Sequence, residues 1–172
     1  ILNRHQQVVK AVAGDPIEAH RAGASDSGSL YGADIPVLAD VVIADSHPMD
    51  QDLRQGVKAL ANTIRAVRRG GVHITLVRAT EGVGVFGLAD SDLPLSRRAL
   101  RLLSPLLVRL VPRLTIKGLG EEDRFFLYFA LRAMRHADLL LYAPTIPRDV
   151  RDSLPFVTFV DSLEEAIATA QW

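Results

Sequence analysis

Apolar residues fall along this chain in two periods, short continuous runs and longer stripes at helical spacing. Ala39 to Ala44 is a short apolar run that reads as a buried strand. After Asp45 the chain turns through Pro48, and Leu53, Val57, Leu60, Ile64 and Val67 follow at intervals of four, three, four and three. That spacing puts all five on one stripe of a helix. Arg54, Lys58 and Arg65 lie roughly 100 to 140° round from the stripe, with Gln55 and Asn62 at roughly 180 to 200°. One side packs, and the other presents cations and amides. Arg69-Gly70-Gly71 is expected to end this helix, and Val72 to Ala79 reads as a second buried strand.

The rest of the chain continues the alternation. A loop over 80–94, glycine-rich at first and acidic at its end, leads to a leucine-dense helix from Ser96 to Leu110, with Pro105 expected to kink it. Glu121 to Ala137 reads as a helix, acidic at its start and basic at its end, as the helix dipole favours. Its aromatics Phe125, Phe126, Tyr128 and Phe129 suggest burial between two elements. Asp138 to Tyr142 and Phe156 to Val160 read as strands, and Ser162 to Gln171 as a capped closing helix. At the other end, Ile1 to Ala13 reads as a β-hairpin, its second strand being Val8 to Ala13. Asp15-Pro16 then starts a helix that is expected to fade in the Gly/Ser stretch 23–32. This order argues for an α/β fold: a three-layer, Rossmann-like sheet, parallel in its centre, with an N-terminal β-hairpin. No internal repeat or second boundary is visible, so residues 1–172 are expected to form a single α/β domain.

Composition narrows the function. A hydrophobic fraction of 48% is that of a folded globular chain. Twenty basic and twenty acidic residues cancel, which argues against a nucleic-acid surface. There is no cysteine, so disulfides, thiolate chemistry and cysteine-ligated metals are excluded. No apolar run is long enough to span a bilayer and no signal peptide opens the chain, so a cytoplasmic protein is expected. The chain opens on Ile1 and not Met, which reads as a fragment or a processed product.

Three features are candidates for chemistry. A strand followed by a polar loop and a helix start is where open α/β sheets bind ligands, here a small anion. Arg54, Gln55 and Lys58 on the helix could clamp a carboxylate, or could simply be a solvated helix face. His47, at the end of the first strand, stands where a proton carrier could sit, although most such histidines only cap or solvate. Gly82-Val83-Gly84-Val85-Phe86-Gly87 matches G-x-G-x-x-G after a strand, but no helix can open directly behind it, so a flexible loop is the better reading than a dinucleotide fingerprint. His20 and His136 have no matching partner, no set of residues shows metal-ligand spacing, and Glu121-Glu122 looks like helix-start charge.

The run Pro48 to Leu60, P-M-D-Q-D-L-R-Q-G-V-K-A-L, resembles the C-terminal domain of the lactate racemase family, the nickel-pincer hydroxy-acid racemases and epimerases. The corresponding family segment reads approximately P-K-D-I-N-L-Y-Q-S-Q-K-A-L. Ala13-Gly14-Asp15-Pro16-Ile17-Glu18-Ala19-His20-Arg21, Gly70-Gly71-Val72 and Glu81-Gly82-Val83-Gly84 support the match in the same order. The second half of the chain fits only in layout, and its role stays open. The resemblance implies a longer, two-domain enzyme, an isomerase that would be inactive as this isolated domain. The N-terminal catalytic domain of the same protein would hold most of the nickel-pincer nucleotide and the catalytic histidines. This chain would close over a small 2-hydroxy acid, with Gln55 and Lys58 touching substrate or cofactor and Arg54 and His47 facing the substrate. Hydride would leave the carbinol carbon and return to either face.

Arg54 stands where lactate-using members carry tyrosine, and His47 replaces a glycine of the family's Gly-Gly, so lactate itself is in doubt. Two other readings stay open: a Rossmann-like nucleotide-binding module using the Gly82–Gly87 loop, and a non-catalytic interaction domain that keeps the fold.

Overall fold

The computed structural model describes residues 1–3, 5–89, 95–115 and 120–171. They group into two compact units, Ile1–Val37 and Leu38–Trp172. The acidic end of the loop expected over 80–94, residues 90–94, lies outside the described residues.

In the first unit the expected hairpin reduces to one antiparallel bridge, Leu2 to Val8. Asn3 makes the turn, its Oδ1 accepting from the backbone N–H of His5 (2.9 Å) and Gln7 (3.0 Å). Beyond Val8 no strand forms. Helix α1 (Pro16–Tyr31) starts as expected, with Asp15 Oδ1 accepting from Ile17 N and Glu18 N and Pro16 in the first turn. It does not fade at Gly23 but continues through the Gly/Ser stretch to Tyr31. No residue of α1 is buried, so its support is limited to contacts with the segment before it. The segment before α1 lies along it: a Cβ on Gly23 would touch Val12 Cγ2 at 3.4 Å, and Lys10 reaches Asp26 at 3.5 Å.

The second unit carries the sheet. Its elements are β1 (Ala39–Asp45), α2 (Leu53–Gly56), α3 (Lys58–Thr63), a 3₁₀ turn Ile64–Ala66, β2 (Val67–Leu76), α4 (Arg97–Leu110), a 3₁₀ turn Val111–Arg113, α5 (Glu121–His136), β3 (Asp138–Tyr142), α6 (Arg148–Ser153), β4 (Thr158–Val160) and α7 (Leu163–Ala170). The four strands run parallel in the order β1-β2-β3-β4. On one face Leu139 and Leu141 of β3 join a core with Leu53, Leu60, Leu100, Leu131 and Met134 from α2 to α5. On the other, Ile74, Leu140 and Val160 pack on Ala166 of α7. Helices thus sandwich the sheet in three layers, as expected of a Rossmann-like fold.

The apolar stripe that reads as one helix is two short helices and a 3₁₀ turn. Leu53 and Leu60 are buried along it, but Val67 is already the first residue of β2. The break comes at Val57, directly after Gly56, on which a Cβ would meet Val77 Cγ1 at 2.2 Å. Gly70-Gly71 does not stop a helix either. It lies inside β2, where the pairing slips from Ala39–Val67 to Val41–Val72. Five residues of β2 therefore span what two residues of β1 span, an irregular bulge. Gly70 takes φ +80°, and a Cβ on Gly71 would strike the Asp40 carbonyl at 2.5 Å.

Of the α5 aromatics, Phe126 stacks edge-on to Phe86 (centroids 5.3 Å apart), whereas Phe125 is 62% exposed. The aromatic run is not sandwiched as a whole. The space left between sheet and helices, lined by Leu53, Phe86, Phe126 and Leu139 among others, is only about 50 Å³ and almost wholly apolar. It is a packing void with no partner for a polar ligand.

His73, on β2, is fully buried between two hydroxyls, Thr63 Oγ1 at 2.7 Å from Nε2 and Thr75 Oγ1 at 3.1 Å from Nδ1. Thr63 already donates to the Ala59 carbonyl, so Nε2 must carry the ring proton and Nδ1 accepts from Thr75. Burial holds the imidazole neutral, pushing its pKa down from 6.5 to about 4. The unfolded chain therefore binds more protons between those values. His73's contribution is complete above pH 6.5 and is lost as pH falls towards 4. The full effect is about 3 kcal/mol. Urea unfolding at steps from pH 7.5 to 4.5 should show this loss, and His73→Gln should flatten it; an unchanged slope in the variant would remove His73 as its cause.

Candidate functional site

The carboxyl ends of β1 and β2 are tied together before any side chain is presented. Ser46 follows β1 and donates its N–H to the Leu76 carbonyl at 3.1 Å, its hydroxyl bonding the same oxygen. Asp45 Oδ1 accepts from His47 N at 2.9 Å, and the His47–Pro48 peptide is cis. Asp50, 2% exposed, then meets Arg78 in a two-pronged pair, through Nε to Oδ2 and through Nη2 to Oδ1 at 3.1 Å. Hydrogen bonds from Arg78 hold the Asp50 carboxyl below the usual carboxylate range, and Asp50 in turn raises the Arg78 pKa. Ala79, in left-handed backbone at φ +46°, donates to the Asp50 carbonyl, and the Thr145 hydroxyl sits 2.8 Å from the carbonyls of both Arg78 and Ala79. Arg78 is thereby fixed at the mouth of the sheet.

Arg78 Nη2 also lies 2.8 Å from His47 Nδ1. A guanidinium can only donate, so Nδ1 accepts and neutral His47 carries its proton on Nε2. These groups, with Asp45, Tyr142 and Leu163, line an open cleft of about 580 Å³ at the carboxyl ends of the strands, where ligands of open α/β sheets bind.

The start of α2 is a different matter. Asp52 Oδ1 caps Gln55 N at 2.7 Å, while Leu53 N and Arg54 N donate to the carbonyls of Gly82 and Val83 at 2.9 and 3.3 Å. The donors that an anion would need are already satisfied by the chain's own loop. An anion at this place must be met by side chains.

That loop is the G-x-G-x-x-G match, and internal packing accounts for its glycines. Gly82 takes φ +82°. A Cβ on Gly84 would press on the Asp52 carboxylate at 2.8 Å, and one on Gly87 on Asp123 Oδ2 at 2.6 Å. They let the loop close over α2 and reach α5, with no helix start facing a pyrophosphate.

The side chains of the helix diverge. Lys58, exposed at the start of α3, donates to Gln55 Oε1 at 2.5 Å. Lys58 keeps two further N–H groups and Gln55 its amide NH₂, so the pair faces outward as donors. Arg54 turns away to α5, where Nη2 pairs with Glu122 and the guanidinium lies 5.7 Å from the Phe126 centroid. Its side chain is only 22% exposed. The structure thus joins Gln55 to Lys58, joins His47 to Asp50 and Arg78, and sends Arg54 to a third place. Sequence reasoning missed Arg78; its one signal was a cation at the end of a buried strand, opposite a histidine and an acid at the end of the neighbouring one. Among the described residues no group of three or more His, Cys, Asp or Glu is placed to hold a metal ion, and no helix is long and apolar enough to cross a membrane.

The chain matches no protein-family model and no curated protein. Among solved structures it is similar to the lactate racemase apoprotein from Thermoanaerobacterium thermosaccharolyticum, with a TM-score of 0.72 and 20% identity. The likeness covers 99% of this chain and 39% of that one. The fold is that of part of a lactate racemase. At this identity the likeness speaks for the fold, and this chain spans well under half the length of that protein. It also agrees with the resemblance carried by Pro48 to Leu60, which was drawn from residues alone.

Proposed function

We propose that this chain is the substrate-clamping domain of a 2-hydroxy-acid racemase or epimerase whose nickel-pincer nucleotide is held mainly by an N-terminal catalytic domain of the same protein. One observation supports this above the others. A lysine–glutamine donor pair, Lys58 and Gln55, opens a helix on a fold shared with part of a lactate racemase. The cofactor would supply the chemistry at the carbinol carbon, and this chain's part would be binding and orientation.

Racemisation needs the carboxylate fixed while the carbinol carbon is approached from both faces. Lys58 would hold the carboxylate as a point charge, and the Gln55 amide would orient its second oxygen or the hydroxyl, or contact the cofactor. His47, with Nε2–H directed away from Arg78, would face the substrate from the end of β1. Arg54 is paired with Glu122 of α5, so it would face the substrate only by leaving that partner. The isolated 172-residue chain would not turn over.

The substrate would be larger or more polar than lactate, for example a sugar acid or a hydroxy diacid that draws Arg54 from Glu122 towards it. The test is a panel of 2-hydroxy acids offered to the full-length enzyme and to its Arg54→Tyr variant, with enantiomers resolved by chiral chromatography. The wild type should prefer the larger acids, and the variant should shift towards lactate. A wild type that prefers lactate, or a variant with unchanged preference, would take Arg54 out of the site.

A further inference from the structure

A second cleft, of about 540 Å³, runs between the end of α3 with the 3₁₀ turn that follows it and one face of α5 from Phe125 to His136. Arg65 and Asn62 stand on one wall, Arg132 and His136 on the other, and neither Gln55 nor Lys58 lines it. Its volume suits a small molecule. No Asp or Glu lines it, and among the described residues neither arginine has an ion pair. Arg132 is held by a neutral group, its Nη1 donating to the Tyr128 hydroxyl at 3.2 Å and its guanidinium lying 5.6 Å from the same ring.

Other arginine-lined clefts of this chain differ. Arg78 lies on Asp50, Arg97 and Arg101 on Asp138, and Arg124 on Glu121. In each at least one carboxylate of the protein answers the charge, Arg97 and Arg101 sharing Asp138. Between Arg65 and Arg132 it is not.

The remaining walls are flat and apolar. Phe125, 62% exposed, and Phe129 flank Ile64, Ala61 and Ala133. We infer that this cleft binds an aromatic anion, a planar ring bearing a phosphate or carboxylate, with the ring against Phe125 and Phe129 and the charged group between Arg65 and Arg132. Both guanidinium forks suit the paired oxygens of such a group. His136 adds no donor while neutral, because its Nε2 is already given to the Val67 carbonyl at 2.7 Å. The carbonyl ends of α5 and of the 3₁₀ turn oppose an anion, but a helix-end partial charge is weaker than two full cations.

Phenyl phosphate, benzoate, inorganic phosphate and phenol, each titrated into the 172-residue chain and followed by calorimetry, test this. Phenyl phosphate or benzoate should bind saturably and at least about tenfold more tightly than inorganic phosphate or phenol. Arg65→Ala and Arg132→Gln should each weaken that binding about tenfold or more with thermal midpoints unchanged, and Arg65→Glu should abolish it, while Arg148→Ala on α6 leaves it alone. No saturable binding at millimolar concentration, equal binding of inorganic phosphate, or binding indifferent to Arg65 and Arg132 would overturn the inference. Which aromatic probe binds decides between a phosphate and a carboxylate headgroup.

Discussion

On the proposed function, Lys58→Ala in the full-length enzyme is expected to lower kcat/KM for a 2-hydroxy acid at least tenfold while the fold holds. Lys58 is exposed, and its bond within the protein is the one to Gln55 three residues before it. Removing an exposed side chain of this kind moves stability by only about 0.5 kcal/mol. A charge-assisted hydrogen bond to a carboxylate is worth about 1.5 to 3 kcal/mol, or roughly ten- to a hundredfold in rate when it is made in the transition state. The backbone at α2 cannot substitute, because Gly82, Val83 and Asp52 already take its N–H groups. Unfolding curves and steady-state kinetics on the same variant separate the two effects. Near-normal kcat/KM would leave Lys58 as part of a solvated helix face.

The largest expected loss of stability comes from Leu53→Ala, about 2 to 5 kcal/mol. Leu53 has no exposed surface and packs in the main core beneath the sheet. It also borders the existing void of about 50 Å³, so truncation would enlarge a space that the surroundings have not closed. α2 has only four residues and no stability of its own. Leu53 is what seats it, together with the Leu53 N–H bond to Gly82. Since a domain is stable by only about 5 to 15 kcal/mol, urea unfolding should show the change plainly. A loss under about 1 kcal/mol would mean that α2 is held by something other than this anchor.

What could be read from residue order was what local chemistry decides. Apolar runs marked β1 and β3, although β1 is largely exposed (Ile43 49%) and not buried as expected; the charge gradient marked α5, and Ser162 marked the start of α7, where its hydroxyl accepts from Glu165 N. The order of elements and the parallel sheet followed from these. Errors came where one local pattern serves two structures. A glycine pair after an apolar stripe fits a helix stop as well as a strand bulge, and only the pairing of Val41 with Val72 decides between them. A Gly/Ser stretch fits a linker as well as a helix supported by its own neighbours, as in α1.

The site divided in the same way. The Gln55–Lys58 pair is a spacing of three on one helical stretch and was legible. Arg78 with Asp50 is separated by 28 residues, and Arg54 with Glu122 by 68, so neither partner could be named from sequence. Arg54 was expected to face substrate or to belong to a solvated helix face, and tertiary packing gives it a partner from α5.

The most direct measurement takes one enantiomer of a 2-hydroxy acid, deuterated at the carbinol carbon, and gives it to the full-length protein supplied with the proposed nickel-pincer nucleotide. The acid is then analysed by chiral chromatography and mass spectrometry. The opposite enantiomer should appear with its deuterium retained, and Lys58→Ala should slow its appearance about tenfold or more. No interconversion across a panel of 2-hydroxy acids, or interconversion with the deuterium lost to water, would contradict it.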